Sequence, residues 1–175
     1  MPSDLSTGFP IACRDSRGGV FNAYFAQLEH KNTLAKSTPG LIDTFTLTTG
    51  NQFWKYGLVH ATANYDEQPT TDRQTGTVFF RTIFNMILNK RQRAIRNELI
   101  ALSQNHLMII LEDKSDGTLW LMGETIGAMM DTSASPSGTA MADRNGYELV
   151  FSAEEAEPMS EVDPSLLATL LLPAA

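Results

Sequence analysis

The chain has 175 residues, 42% of them hydrophobic, with a formal net charge of -7 and a pI near 4.9. That length suits one domain whose core needs no disulfide or metal, and the single cysteine, Cys13, excludes an internal disulfide. The acidic balance works against general binding to nucleic acid or anionic membrane, and the longest apolar run, Leu107–Leu111, is far below the roughly 20 residues of a membrane span.

The opening stretch MPSDLSTGFPIACRDS has no basic region followed by an apolar core, so no secretory signal is expected, and retention in a cytoplasm is the default. Residues 1–19 read as an N-terminal arm. Val20–Leu28 (VFNAYFAQL), rich in aromatic and small apolar residues, predicts a strand. KNTLAKSTPG reads as a loop that ends in a Pro-Gly turn. Leu41–Thr49 and Phe53–Tyr65, separated by the turn at Gly50-Asn51, both predict strands. The polar stretch Asp66–Gly76 (DEQPTTDRQTG) predicts a long hairpin loop, a kind of segment that often carries function. Thr77–Leu88 (TVFFRTIFNMIL) alternates with period two, its even positions apolar and its odd positions mixed, so one face is core and the other half polar.

Over Arg91–Asn105 the period changes: Ile95, Leu99 and Leu102 fall within about 60° on a 3.6-residue wheel, which predicts an amphipathic helix. Leu107–Asp113 and Thr118–Gly123 flank an Asp-Gly pair, a hairpin signal. Thr132–Met141 is a small-residue loop, Gly146–Ser152 a last strand, and residues 154–175 a tail in which five acids crowd into ten positions. The sum is a mainly β single domain over residues 1–175, an antiparallel β-sandwich or open barrel of about seven strands with one packed α-helix.

No constellation points to catalysis, a cofactor or a metal. His30, His60 and His106 lie far apart without ligands at metal spacing. Cys13 has no partner histidine motif, Gly18-Gly19 lacks the spacing of a phosphate loop, and Asp113, Asp116 and Glu124 flank a turn too short for a calcium loop. Trp54, Trp120, Phe79, Phe80 and Phe84 sit inside strand patterns, which favours core packing over a base-stacking platform.

The exception is NKRQRAIRNELIAL, Asn89–Leu102, where Lys90, Arg91, Arg93 and Arg96 crowd into seven residues. No carboxylate stands three or four positions beyond any of them, and the cluster occupies the first helical turns, where the macrodipole disfavours cations. These side chains are either solvated or meet external anions. A nucleic-acid domain normally shows a basic total, so the expected partner is the acidic surface of another copy, with Glu154, Glu155 and Glu157 as candidate interface acids beside Lys90, Arg91, Arg93 and Arg96.

The stretches GGVFNAYFA (18–26), GTVFFRTIFNMILNK (76–90), LWLMGETIGA (119–128) and GTAMADRNGYELVFS (138–152) resemble bacteriophage tail tube proteins, whose fold is similar to that of contractile injection system tubes. The resemblance implies a structural virion protein of the tail, assembled in the host cytoplasm. It implies hexameric rings, inner sheets joined across subunits, and stacking into a tube through which DNA passes without specific binding. A neck, terminator or baseplate ring of the same fold is the alternative within that family. It also implies partners among tail proteins (tape measure, terminator, baseplate, sheath), no membrane, no cofactor and no enzymatic activity. The long hairpin loop, with Asp66, Glu67, Asp72 and Arg73, would reach an adjacent ring. A nucleic-acid-binding module is the reading from a different class.

Overall fold

The structure, a computed structural model, describes residues 17–72, 74, 76–140, 143 and 145–174, with the backbone alone at Ala94. Cys13, Arg73 and nearly all of the expected N-terminal arm lie outside the described residues. Among the described residues twelve strands form three sheets. In chain order they are β1 (Val20–Gln27), β2 (Lys31–Ala35), β3 (Leu41–Ile42), β4 (Thr44–Leu47), β5 (Trp54–Gly57) and β6 (Ala63–Asp72). They continue as β7 (Thr77–Asn89), β8 (Leu107–Asp113), β9 (Leu119–Met122), β10 (Met129–Ala134), β11 (Gly146–Glu155) and β12 (Ser160–Val162). Helix α1 (Arg93–Gln104) follows β7, and a short helix α2 (Pro164–Leu170) follows β12.

A six-stranded sheet runs in the order β3-β12-β9-β8-β1-β5, a four-stranded sheet β10-β11-β7-β6, and β2 pairs with β4. The expected all-antiparallel arrangement needs correction at one place, because β12 and β3 pair in parallel. The fold is mainly β, with its strands divided among three sheets.

The apolar run Leu107–Leu111 explains the layering. All five residues are buried, and because strand side chains alternate, Leu107, Ile109 and Leu111 enter one hydrophobic cluster while Met108 and Ile110 enter another. The first cluster joins them to Phe84 and Met86 of β7 and to Leu149 and Phe151 of β11, so it lies between the two large sheets. The second joins them to Phe45 and Leu47 of β4 and to Leu170 of α2. The six-stranded sheet is therefore covered on both faces, the condition under which a strand reads as a continuous apolar run. Polar atoms within it are satisfied: Asn22 Nδ2 and Tyr24 Oη each donate to Glu112 Oε2 at 2.7 Å. Burial, with that carboxylate beside it, pushes the Tyr24 hydroxyl well above its ordinary pKa.

Helix α1 packs as its period predicts, with Leu102 buried and Ile95 and Leu99 against the first cluster. Gly146 is required where β11 starts, since a Cβ there would sit 2.1 Å from the Leu88 carbonyl oxygen. At the β8–β9 turn Gly117 takes φ +80, and Asp116 Oδ1 accepts the Thr118 N–H.

Three further expectations are corrected. KNTLAKSTPG is not all loop, because Lys31–Ala35 pairs with β4. Asp66–Gly76 is not a long loop: β6 stays in register with β7 out to Asp72 opposite Thr77, leaving a tight turn. Thr70 and Thr71 are β-branched strand formers, and Pro69 is tolerated because β6 is an edge strand. The tail after Glu154 is no appendage. It completes β11, adds β12 between β9 and β3, and ends in α2, where Asp163 Oδ1 accepts the Ser165 N–H and Pro164 occupies the first turn. The described residues therefore hold two α-helices where one was expected.

Candidate functional site

The four-stranded sheet is finished on one side only. Thr82, Phe84, Met86 and Leu88 of β7 and Tyr147, Leu149, Phe151 and Ala153 of β11 are buried. The opposite face carries Arg81, Ile83, Asn85 and Ile87 beside Glu148, Val150, Ser152 and Glu154, with Asn64, Asp66 and Gln68 from β6. No element of the described residues packs into a core there. Its charge is mostly negative, Asp66, Asp131, Glu148 and Glu154 against Arg81. Arg81 is held between Asp131 at 3.9 Å and Glu154 at 3.8 Å, which ties β7 to β10 across β11. Both edges are open: β6 runs ten residues and β10 six, and neither pairs on its outer side among the described residues. A bulge displaces Asp131 in β10, and Ser152 Oγ donates to its Oδ1 at 2.8 Å.

The basic cluster sits at one end of this sheet. Lys90, at φ +70, donates its N–H to the Asn145 carbonyl where β7 gives way to α1. Lys90, Arg91, Arg93 and Arg96 are exposed, and none has a carboxylate within ion-pair distance among the described residues. Gln92 precedes the helix without a capping bond, and the first turn holds no acid. On the wheel Arg93, Arg96 and Ile100, which is also exposed, share a stripe turned away from the core.

The acids expected to complement these cations are mostly engaged within their own chain. Glu154 pairs with Arg81. Glu155 Oε1 accepts the N–H groups of Thr125 and Ile126, each at 2.9 Å. Glu67 Oε1 accepts the Met159 N–H at 2.7 Å, so Glu67 braces β6 against the segment that leads into β12. Glu157 lies 3.6 Å from Lys36, whose stronger partner is Glu124 at 2.8 Å. Asp66 accepts from Gln68, and Asp72 Oδ1 accepts the Gln74 N–H in the turn. The expected acidic patch is thus a set of internal braces, from which Asp66 and Glu154 emerge on the open sheet face. Sequence reasoning missed this because the partners are remote, 92 positions apart for Glu67 and Met159.

Of the aromatic residues expected in the core, Phe84 is fully buried and Phe79, Phe80 and Trp120 are half-buried, but Trp54 on the edge strand β5 is 63% exposed. Tyr56, two residues on, packs its ring edge against Phe25 at 4.7 Å. Burial, with Glu98 nearby, raises its hydroxyl to about 12. His30 lies 3.6 Å from Glu29, and His106 Nδ1 is 3.1 Å from the Ile126 carbonyl. Among the described residues no group of three or more His, Cys, Asp or Glu is placed to hold a metal ion.

No family model, no curated protein and no solved structure matches this chain. That finding overturns the viral labels the resemblance carried, namely bacteriophage, virion, tail tube, tail assembly and DNA ejection, and with them the sixfold ring number. The stretches that carried the likeness contain β1, β7, β9 and β11. They are alternating strand patterns that any two-faced sheet requires.

Proposed function

We propose that this chain is a structural protein that assembles with copies of itself into closed rings stacked as a tube, with the four-stranded sheet lining the passage. One observation carries the reading: that sheet has one buried face, one bare face and two long open edges. An exposed edge is a template for another strand, and closing a sheet on itself is the arrangement that removes edges altogether.

The strand directions support closure. All three pairings within β10-β11-β7-β6 are antiparallel. With an even number of alternating strands, β6 and β10 run in opposite directions. Rotation about an axis along the strands then sets β6 of one copy antiparallel to β10 of the next, and such a head-to-tail contact makes a ring when the rotation closes. The six residues Ala63–Gln68 ahead of Pro69 match the six of β10. In this arrangement the two large sheets form a face-to-face sandwich in each subunit, and the mostly acidic bare face becomes the wall of the passage. A polyanion such as DNA would be repelled by it and pass without adhering.

The test is to place lysines on the open edge. Met129→Lys with Thr132→Lys on β10 is expected to convert a ring-sized species into monomer in light scattering, with the melting temperature nearly unchanged. Wild-type chain that stays monomeric at every concentration contradicts the reading.

The four cations, unpaired among the described residues, favour a second reading, a nucleic-acid-binding module. It predicts salt-sensitive binding of duplex DNA by the monomer, lost in Arg93→Glu/Arg96→Glu.

A further inference from the structure

Where β9 and β11 end, beneath the projecting β6–β7 hairpin, a cavity of about 310 Å³ lies between the two large sheets. Glu67, Glu124, Glu155 and Glu157 line it, with Thr82 and Met159 at its inner side. Lys36 answers Glu124 and, more distantly, Glu157. Among the described residues Glu67 and Glu155 have no cation, and each uses a single oxygen on backbone N–H groups, Glu67 toward Met159 and Glu155 toward Thr125 and Ile126. The second oxygen of each takes no hydrogen bond among the described residues. Thr82 is only 4% exposed, yet its hydroxyl has no hydrogen-bond partner among the described residues, and it lines this cavity. No fully enclosed side-chain nitrogen or oxygen among the described residues is left unpaired, so this hydroxyl is open to the cavity. Two half-used carboxylates and a free hydroxyl around a cavity describe a receptor for a donor-rich cation.

The matching donors stand at the other end of the same strand. From Thr82 to Asn89, β7 covers seven steps, about 24 Å at strand spacing, and just beyond lie Lys90, Arg91, Arg93 and Arg96, without a carboxylate partner among the described residues. Arginine is suited to this task, because its planar fork of donors matches carboxylate geometry and is more weakly hydrated than an ammonium.

We propose that this carboxylate-lined cavity receives the basic first turn of α1, Lys90 to Arg96, from a second copy of the chain. The inference rests on the ring reading and adds its stacking contact. In a ring whose subunits all point the same way, every cavity opens toward one rim and every basic turn toward the other. Rings then stack head to tail, and the contact repeats without limit because the two surfaces differ.

Two charge variants and their mixture test it by negative-stain microscopy and sedimentation. Arg93→Glu/Arg96→Glu removes the donor, and Glu67→Gln/Glu155→Gln removes the acceptor charge while keeping an oxygen for each backbone N–H. Wild type is expected to give long stacks that fall apart into intact rings in about 1 M salt, where the screening length is about 3 Å. Each variant alone is expected to give single rings. A mixture has one competent junction, basic rim of the second variant against cavity of the first, so it is expected to give pairs of rings and nothing longer. Thr82→Val, close in shape and without the hydroxyl, should raise the concentration needed for stacking several-fold. Stacks of wild-type length from either charge variant alone, or no pairs in the mixture, would overturn the proposal. So would duplex DNA that binds wild-type rings and not the arginine variant while stacking is unchanged. Absence of rings from the wild type itself would strike the ring reading first and is distinguishable from all of these.

Discussion

The two large sheets differ in what they leave undone. The six-stranded sheet has a hydrophobic cluster on each face, and its edges are blunt, two residues of β3 and four of β5. Short edge strands are one way a sheet avoids recruiting others. The four-stranded sheet has a cluster on one face only, and its edges run to ten and six residues. One sheet closes the fold and the other leaves a surface with unmet hydrogen-bonding capacity. Stability and assembly are therefore expected to respond to different residues.

The largest effects should come from residues that serve both sheets. Phe151 is fully buried, with its ring 5.3 Å from Phe25 of the six-stranded sheet and 6.2 Å from Phe84 of its own. Phe151→Ala is expected to cost about 3–5 kcal/mol in urea unfolding and to abolish assembly with the fold. A loss below about 1 kcal/mol would show that the two sheets do not share a core as described.

Gly146→Ala should come next. The added Cβ meets backbone, the Leu88 carbonyl oxygen, so the start of β11 must shift, at a cost of about 1–3 kcal/mol. The damage should stay in the four-stranded sheet. Amide exchange is expected to quicken along β7 and β11 and to remain slow in β8, and equal quickening in β8 would blur the division drawn between the sheets.

Edge charges separate the sheets most cleanly. Met129 and Thr132 are exposed, so Met129→Lys/Thr132→Lys should change stability by no more than about 0.5 kcal/mol while removing assembly. A lysine at the equivalent edge of the other sheet, Trp54→Lys on β5, should leave assembly intact.

The smallest effect is on pH dependence. Asp163 is held below the usual carboxylate range first by its bonds to Ser165, and Asp116 by its bonds to Thr118. A depressed folded-state pKa contributes stability above the unfolded value of about 3.9, lost as pH falls through the folded one. Asp163→Asn should flatten the acid limb of a pH-stability profile slightly, and a steeper limb would argue against the cap.

Much of the fold was legible because its strands obey local patterns. The alternation in β7, the apolar run of β8, the Asp-Gly turn and the helical period of α1 each follow from side-chain geometry within a few residues. The tail was not legible. Acids and prolines there look like solvated linker, and only pairing of Ser160–Val162 with β9 and β3 makes a strand of them. The hairpin was misread for a related reason, since β6 is polar on both faces beyond Tyr65 and is held by its partner rather than by burial. At the candidate site, the lack of an ion-pair partner within the helix for Lys90, Arg91, Arg93 and Arg96 could be read from helix spacing. The acids could not be read, because Glu67 and Glu155 find their backbone donors across the fold.

Backbone amide exchange on the edge strands tests the central claim most directly. At a concentration where the wild type assembles, the amides of Ala63–Gln68 in β6 and of β10 are predicted to be protected, and to become fast in Met129→Lys/Thr132→Lys while β8 stays slow in both. Edge amides that exchange equally fast in the wild type and the variant would contradict strand pairing between copies.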